Sequence, residues 1–135
     1  MISRMSHVCI GTRDLPAQRE FFCDLLGCEI LHTFVNAAGE TYGLILAAGD
    51  GAMIEMFNQE APVESPGRFR HLCFQVEDIH KTAAYFTDKG FTVEIRHGKT
   101  DNVPQFFIEG PENLSIEFHQ YNADFATYSD YLRRR

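Results

Sequence analysis

The chain carries the same unit twice, and this constrains its fold more than any other feature. Residues Ser6–Leu15 align with Arg70–Ile79, with His, Cys and Asp recurring 64 positions apart. Downstream, Phe21 and Phe22 fall on Tyr85 and Phe86 at the same spacing, and Gly27 falls on Gly90 at 63. Finally Ile54-Glu55-Met56-Phe57 falls on Ile116-Glu117-Phe118-His119 at 62. An ordered series of matches that drifts by only two residues marks a duplicated module with slightly different turns.

Each copy predicts the same order of elements. A short apolar strand comes first, Ser6–Gly11 and then Phe69–Val76. Asp14 and Asp78 follow as N-caps, each carboxylate placed to accept from the free amides of a first helical turn. Pro16 fits that first turn, where a missing amide hydrogen is harmless. Phe21, Phe22, Leu25 and Leu26 form the apolar face of the first helix, as Ala83 and Phe86 do for the second; Gly27 and Gly90 end them. Three strands follow in each copy: Cys28–Val35, Thr41–Ala48 and Ala52–Phe57, then Phe91–His97, Val103–Glu109 and Leu114–His119. The fold class is α+β, two tandem βαβββ modules in one domain spanning 1–135. Module one covers 5–57, a stiff linker with Pro62 and Pro66 covers 58–68, and module two covers 69–121. In the tail, 122–135, Phe125, Tyr128 and Leu132 have the spacing of a short amphipathic helix.

Charge and composition exclude several functions. Twelve Lys and Arg against nineteen Asp and Glu leave −7, which repels a phosphate backbone, so nucleic acid is not the expected partner. No apolar stretch reaches the ~18–20 residues that cross a bilayer. The first residues lack the apolar run of a secretion signal. Four cysteines without CxxC spacing read as reduced thiols, Cys9 and Cys73 as small buried hydrophobes, which together predict a cytoplasmic protein.

The chemistry lies at equivalent ends of the two modules. His7 and His71 occupy the first strands, and Glu55 and Glu117 sit inside apolar last strands. A carboxylate on a half-buried strand is costly to desolvate unless something positive compensates it. Strand alternation puts His7, Cys9 and Gly11 on one face, and likewise His71, Cys73 and Gln75, and Ser115, Glu117 and His119. If first and last strands are neighbours, each His–Glu pair converges on one point. One such pair alone favours a buried hydrogen bond tying two strands together. Two at duplicated positions favour a cage of two imidazoles and two carboxylates for Ni, Zn, Co, Fe or Mn. His119 is either a support for a ligand or a strand-end surface residue, the second being preferred. His32, His80 and His97 have no repeat partner and read as surface residues. No nucleophile–base motif and no phosphate-binding loop appears.

Paired βαβββ modules with His, Glu, His and Glu in that order resemble the vicinal oxygen chelate superfamily, and within it glyoxalase I. The resemblance spans Ser6 to about Tyr121. It implies half-open mixed sheets around a metal cavity and a homodimer in which each site takes one pair from each chain. It also implies isomerisation of a hemithioacetal, a glutathione adduct of a 2-oxoaldehyde, to a 2-hydroxyacyl thioester. Glu117 would be the base that moves the proton, with Glu55 its counterpart on the other face of this small-molecule substrate. Two departures stand out. The Arg that commonly grips the glutathione carboxylate, four residues after the first ligand His, is replaced by Gly11. The loop before the last ligand reads Gly110-Pro111-Glu112-Asn113 rather than Asp-Pro-Asp-Gly. Arg13, Arg68 and Arg70 are the remaining candidates for an anionic substrate. The alternatives are a same-fold metal enzyme of other chemistry, an epimerase or dioxygenase, or a non-catalytic small-molecule binder.

Overall fold

A computed structural model describes residues 7–49, 51–60, 69, 71–98 and 102–120. The chain divides into two compact units, Met1–Arg68 and Phe69–Arg135. Unit one contains β1 (His7–Thr12), α1 (Leu15–Arg19), β2 (Glu29–Val35), β3 (Thr41–Ala47) and β4 (Met53–Asn58). Unit two contains β5 (Leu72–Gln75), α2 (Ile79–Asp88), β6 (Arg96–His97), β7 (Pro104–Glu109) and β8 (Ser115–His119). Each unit therefore has the βαβββ order, and each forms one four-stranded mixed sheet, β1-β4-β3-β2 and β5-β8-β7-β6. Among the described residues neither sheet closes into a barrel, and no helix is long and apolar enough to cross a membrane.

The topology answers the question on which the candidate site depends. The first strand of each unit runs parallel to its last, β1 beside β4 and β5 beside β8, while the other pairings are antiparallel. A parallel pair needs a crossover, and the helix with the two intervening strands supplies it. Alternation then sorts the faces. Leu44, Leu46, Ile54 and Met56 are buried on one face of unit one with Leu15, Phe21 and Phe22, and α1 packs on β4. In unit two, Phe86 from α2 meets Phe118 at 4.9 Å and Phe106 at 6.1 Å between ring centroids.

The helix caps form as the sequence predicts. The Asp14 carboxylate accepts from the Ala17 amide, and Asp78 accepts from the amides of His80 and Lys81. These bonds hold the Asp78 carboxyl below its usual range, the Lys81 amide contributing most. Gly27 and Gly90 terminate the helical segments at φ 77° and 91°, which only glycine adopts without strain.

Three details differ from the sequence reading. The first helix widens after Arg19 into a π-helical turn, Glu20–Leu25, which buries the adjacent Phe21 and Phe22 together while Leu25 and Leu26 stay half-buried. The strand expected over Phe91–His97 shrinks to Arg96–His97. The Phe91 amide is taken by the Phe86 carbonyl and its ring packs on Phe86 at 5.6 Å, so the segment finishes the helix instead of joining the sheet. Pro104 opens β7 without an amide to donate. The expected tail helix, 122–135, lies outside the described residues, as do residues 61–68 of the linker.

Candidate metal centre

Each unit brings its own His and Glu together. In unit one Glu55 sits on β4 between Cys9 of β1 and Ile45 of β3 in the cross-strand register. His7, two residues before Cys9, shares that face, and its Nε2 lies 3.5 Å from Glu55 Oε2. In unit two Glu117 sits on β8 between Cys73 and Phe107. His71 immediately precedes β5, and its Nε2 lies 2.8 Å from Glu117 Oε2. The Phe107 ring meets the His71 ring edge-on at 5.5 Å.

The two pairs differ in depth. Glu55 is half-buried, whereas Glu117 is only 8% exposed and lies in a strand whose neighbours Ile116 and Phe118 are also buried. A carboxylate held there needs hydrogen-bond donors or a cation near its oxygens. Both pairs meet the chemistry of a divalent ion. Two donors ~2.0–2.2 Å from one ion at a right angle stand roughly 3 Å apart, and imidazole with carboxylate suits the transition metals named above. The 2.8 Å pair is also a good hydrogen bond in the absence of an ion.

Arg13 is exposed in the turn after β1, next to the capping Asp14, while Arg68 and Arg70 lie outside the described residues. His32, His80 and His97 are exposed, in agreement with their surface assignment. At Gly11 the side-chain amide of Gln59 occupies the space that a Cβ would take. The position where the resemblance leads one to seek an arginine is thus filled by a neighbour's side chain.

Two expectations about this face are corrected. Cys9 and Cys73 are exposed residues beside Glu55 and Glu117, not buried hydrophobes, because the parallel register turns them to the same face as the carboxylates. His119 is not a bare strand-end residue: its Nδ1 lies 3.2 Å from Cys73 Sγ. One donor atom from each of Cys73, Glu117 and His119 falls within 4.8 Å of the others. Although Cys73 is open to solvent as a residue, its thiol is partly desolvated. Desolvation first, and then the Glu117 charge and hydrogen bond, push it up to about 12. The same causes raise the Cys9 thiol beside Glu55. Alternation along β8 already placed Glu117 and His119 on one face; the strand pairing that adds Cys73 is what the sequence does not display.

Aromatic rings flank the unit-one pair. The Phe57 ring, on the Glu55 face, lies over Gly43 and packs with Phe34 at 4.8 Å and Tyr42 at 6.0 Å.

Comparison with known proteins gives a consistent result. The family model described as Glyoxalase/Bleomycin resistance protein/Dioxygenase superfamily matches residues 4–118. The chain is 26% identical over 125 residues to the uncharacterized protein YaeR of Escherichia coli, covering 88% of this chain and 97% of YaeR. It is 29% identical over 124 residues to a probable lactoylglutathione lyase of Synechocystis, covering 84% and 92% respectively. Among solved structures, SMU.1112c superposes with a TM-score of 0.73 at 25% identity, covering 88% of this chain and 99% of that one.

Proposed function

The chain belongs to the glyoxalase/bleomycin resistance/dioxygenase superfamily, and from that membership we propose that it is a metal-dependent isomerase of the glyoxalase type. Its reaction would convert the hemithioacetal of a 2-oxoaldehyde, a glutathione adduct in the first instance, to a 2-hydroxyacyl thioester. The observation that carries this reading is the recurrence of a His–Glu pair at equivalent strand positions of both units, at 3.5 Å and 2.8 Å. We assign His7, Glu55, His71 and Glu117 together as ligands of one divalent ion, Ni, Zn, Co, Fe or Mn. When bound, such an ion polarises the two adjacent substrate oxygens and lowers the cost of negative charge on them.

The chain's own residues would do the rest. Glu117 takes the proton from the hemithioacetal carbon, and the C–H electron pair becomes the carbon–carbon double bond of an enediolate. Glu117 then returns the proton to the neighbouring carbon, the hydroxyl proton of the first carbon passes to the neighbouring oxygen, and the oxygen left on the first carbon becomes the thioester carbonyl beside a new 2-hydroxyl. Burial of Glu117 supports this role, because a shielded carboxylate exchanges its proton with water slowly. Glu55 is its counterpart in unit one by the duplication. The apolar Phe34, Tyr42 and Phe57 rings offer a surface for the aldehyde's carbon chain. We place the activity in the cytoplasm and in a homodimer whose sites each take a pair from each chain; full activity at monomer mass in light scattering removes the dimer.

The test is thioester formation from the methylglyoxal–glutathione hemithioacetal by metal-stripped protein reloaded with Ni, Co or Zn. Turnover that returns with metal and vanishes in Glu117→Gln supports the reading. Stoichiometric metal binding with no turnover overturns glutathione chemistry. A specific observation favours a second reading in that event. Gln59 fills the space over Gly11, where relatives commonly carry the glutathione-binding arginine, so a smaller vicinal-oxygen substrate handled by an epimerase or dioxygenase would then be sought.

A further inference from the structure

We infer that in unit two Cys73 Sγ and His119 Nδ1 join the Glu117 carboxylate around the divalent ion, beside His71, giving a mixed sulfur, oxygen and nitrogen set in which the cysteine is a direct ligand. The inference rests on Glu117 binding metal, as proposed above, but requires neither the four-residue cage nor glyoxalase chemistry.

The geometry points to it in three ways. Among the described residues, these three side chains form the one group of three metal-type donors within 4.8 Å of one another. Their placement follows from the strand pairing, since Cys73 stands opposite Glu117 and Gln75 opposite His119 across β5 and β8. Cys73 Sγ and His119 Nδ1 are 3.2 Å apart. Sulfur at ~2.3 Å and nitrogen at ~2.0 Å from one ion stand roughly 3.1–3.5 Å apart for angles between octahedral and tetrahedral, so little movement is needed.

The backbone that carries His119 is also held on both sides. The His119 carbonyl accepts from the Val76 amide at 2.8 Å, and the next residue, Gln120, accepts from the Ile79 amide through its side chain at 2.9 Å. A donor fixed in this way is already positioned for an ion.

The feature is confined to one copy. Cys9 stands opposite Glu55 as Cys73 stands opposite Glu117, but the residue matching His119 in the duplication is Phe57. Unit one therefore offers no third donor at that place, and the two halves have diverged in ligand character. Thiolate with imidazole favours Zn and Co over Mn or Mg, so Cys73 would set metal preference. On binding, the thiol proton leaves to solvent as the S–metal bond forms.

The experiment is Co(II) titration of the metal-stripped full-length protein, read by the near-ultraviolet thiolate-to-cobalt band. The expected result is a band that survives Cys9→Ser and His7→Ala and disappears in Cys73→Ser. Zn affinity should fall at least about tenfold in Cys73→Ser while Mn affinity changes much less. Stoichiometric Co(II) without a thiolate band overturns the inference and leaves the metal reading standing. A band that follows Cys9 rather than Cys73 overturns it too, and failure to bind Co(II) at all overturns both readings. Alkylation of the unsubstituted protein, mapped by peptide mass, supplies a measurement independent of any variant. Cys73 must be protected by one equivalent of Zn, and equal labelling with and without Zn overturns the inference.

Discussion

His71 reaches Glu117 at 2.8 Å, and the carboxylate it reaches is nearly closed to solvent. The equivalent His7 stands 3.5 Å from a more open Glu55. Equivalence in the duplication thus does not mean equality in energy. In the metal-free protein, His71→Ala leaves a buried carboxylate short of a donor and should cost on the order of 1–3 kcal/mol. His7→Ala should cost less than about 1 kcal/mol, because water can replace the lost partner. Urea unfolding of the two variants measures the difference, and equal losses would show that depth does not distinguish the pairs.

Glu117→Gln separates structure from chemistry. Removing a buried negative charge while keeping its shape should leave metal-free stability unchanged or raised, as melting of the stripped protein will report. On the proposed function, the same variant should lower kcat by about 10²–10⁴-fold in the metal-reloaded protein, the range expected for loss of a general base. A strongly destabilised variant would instead make the carboxylate a structural tie.

Metal should appear as stability. An ion that binds only the folded chain adds about 2.7 kcal/mol when its free concentration is 100 times Kd, so adding Zn should raise Tm by several degrees and chelation should reverse the rise. Glu55→Gln and Glu117→Gln should each reduce the rise. A melting curve indifferent to every metal would argue that the pairs are hydrogen bonds only.

Alkaline pH should destabilise the fold through Cys28, which lies away from the candidate centre. Burial pushes this thiol up to about 11 from an ordinary value of 9.0, with the nearby Cys23 adding to the shift. The folded state therefore holds the proton more tightly than the unfolded chain does. The resulting stability is complete below pH 9 and is lost as pH rises towards 11. Melts at successive pH values should show a shallower alkaline loss in Cys28→Ala than in the parent chain.

Two glycines should respond differently to a methyl group. At Gly43 a Cβ would meet the Phe57 ring and lie 2.8 Å from the Met56 carbonyl oxygen, which the sheet holds in place. Gly43→Ala should cost about 1–3 kcal/mol by unfolding. At Gly11 the obstruction is the flexible end of Gln59, which can swing aside. Gly11→Ala should therefore be much milder, and a comparable loss would mean that the Gln59 amide is held firmly.

Much of this architecture can be read in the sequence because duplication doubles each weak signal. Asp14 and Asp78, Gly27 and Gly90, and the two His–Glu sets each confirm the other, and the strand order follows once first and last strands are neighbours. What the sequence hides is register. Nothing in the string says that Cys73 stands opposite Glu117, so the cysteines read as core residues and His119 as a strand-end surface residue. The π-helical turn is hidden for a related reason, since adjacent phenylalanines fit an ordinary helix until packing requires both to be buried. The short β6 reflects competition between a ladder and a helix end for the same Phe91 amide, which local propensity cannot decide.

The parallel docking of β1 on β4, and of β5 on β8, also has a meaning in time. As the chain emerges from the ribosome, each histidine is made early and waits for a carboxylate on the last strand of its module. No His–Glu pair exists until that strand has docked, because the partners are far apart in an unfolded chain. A product stalled within a module therefore lacks that module's pair, and one stalled between the modules carries only the pair of unit one.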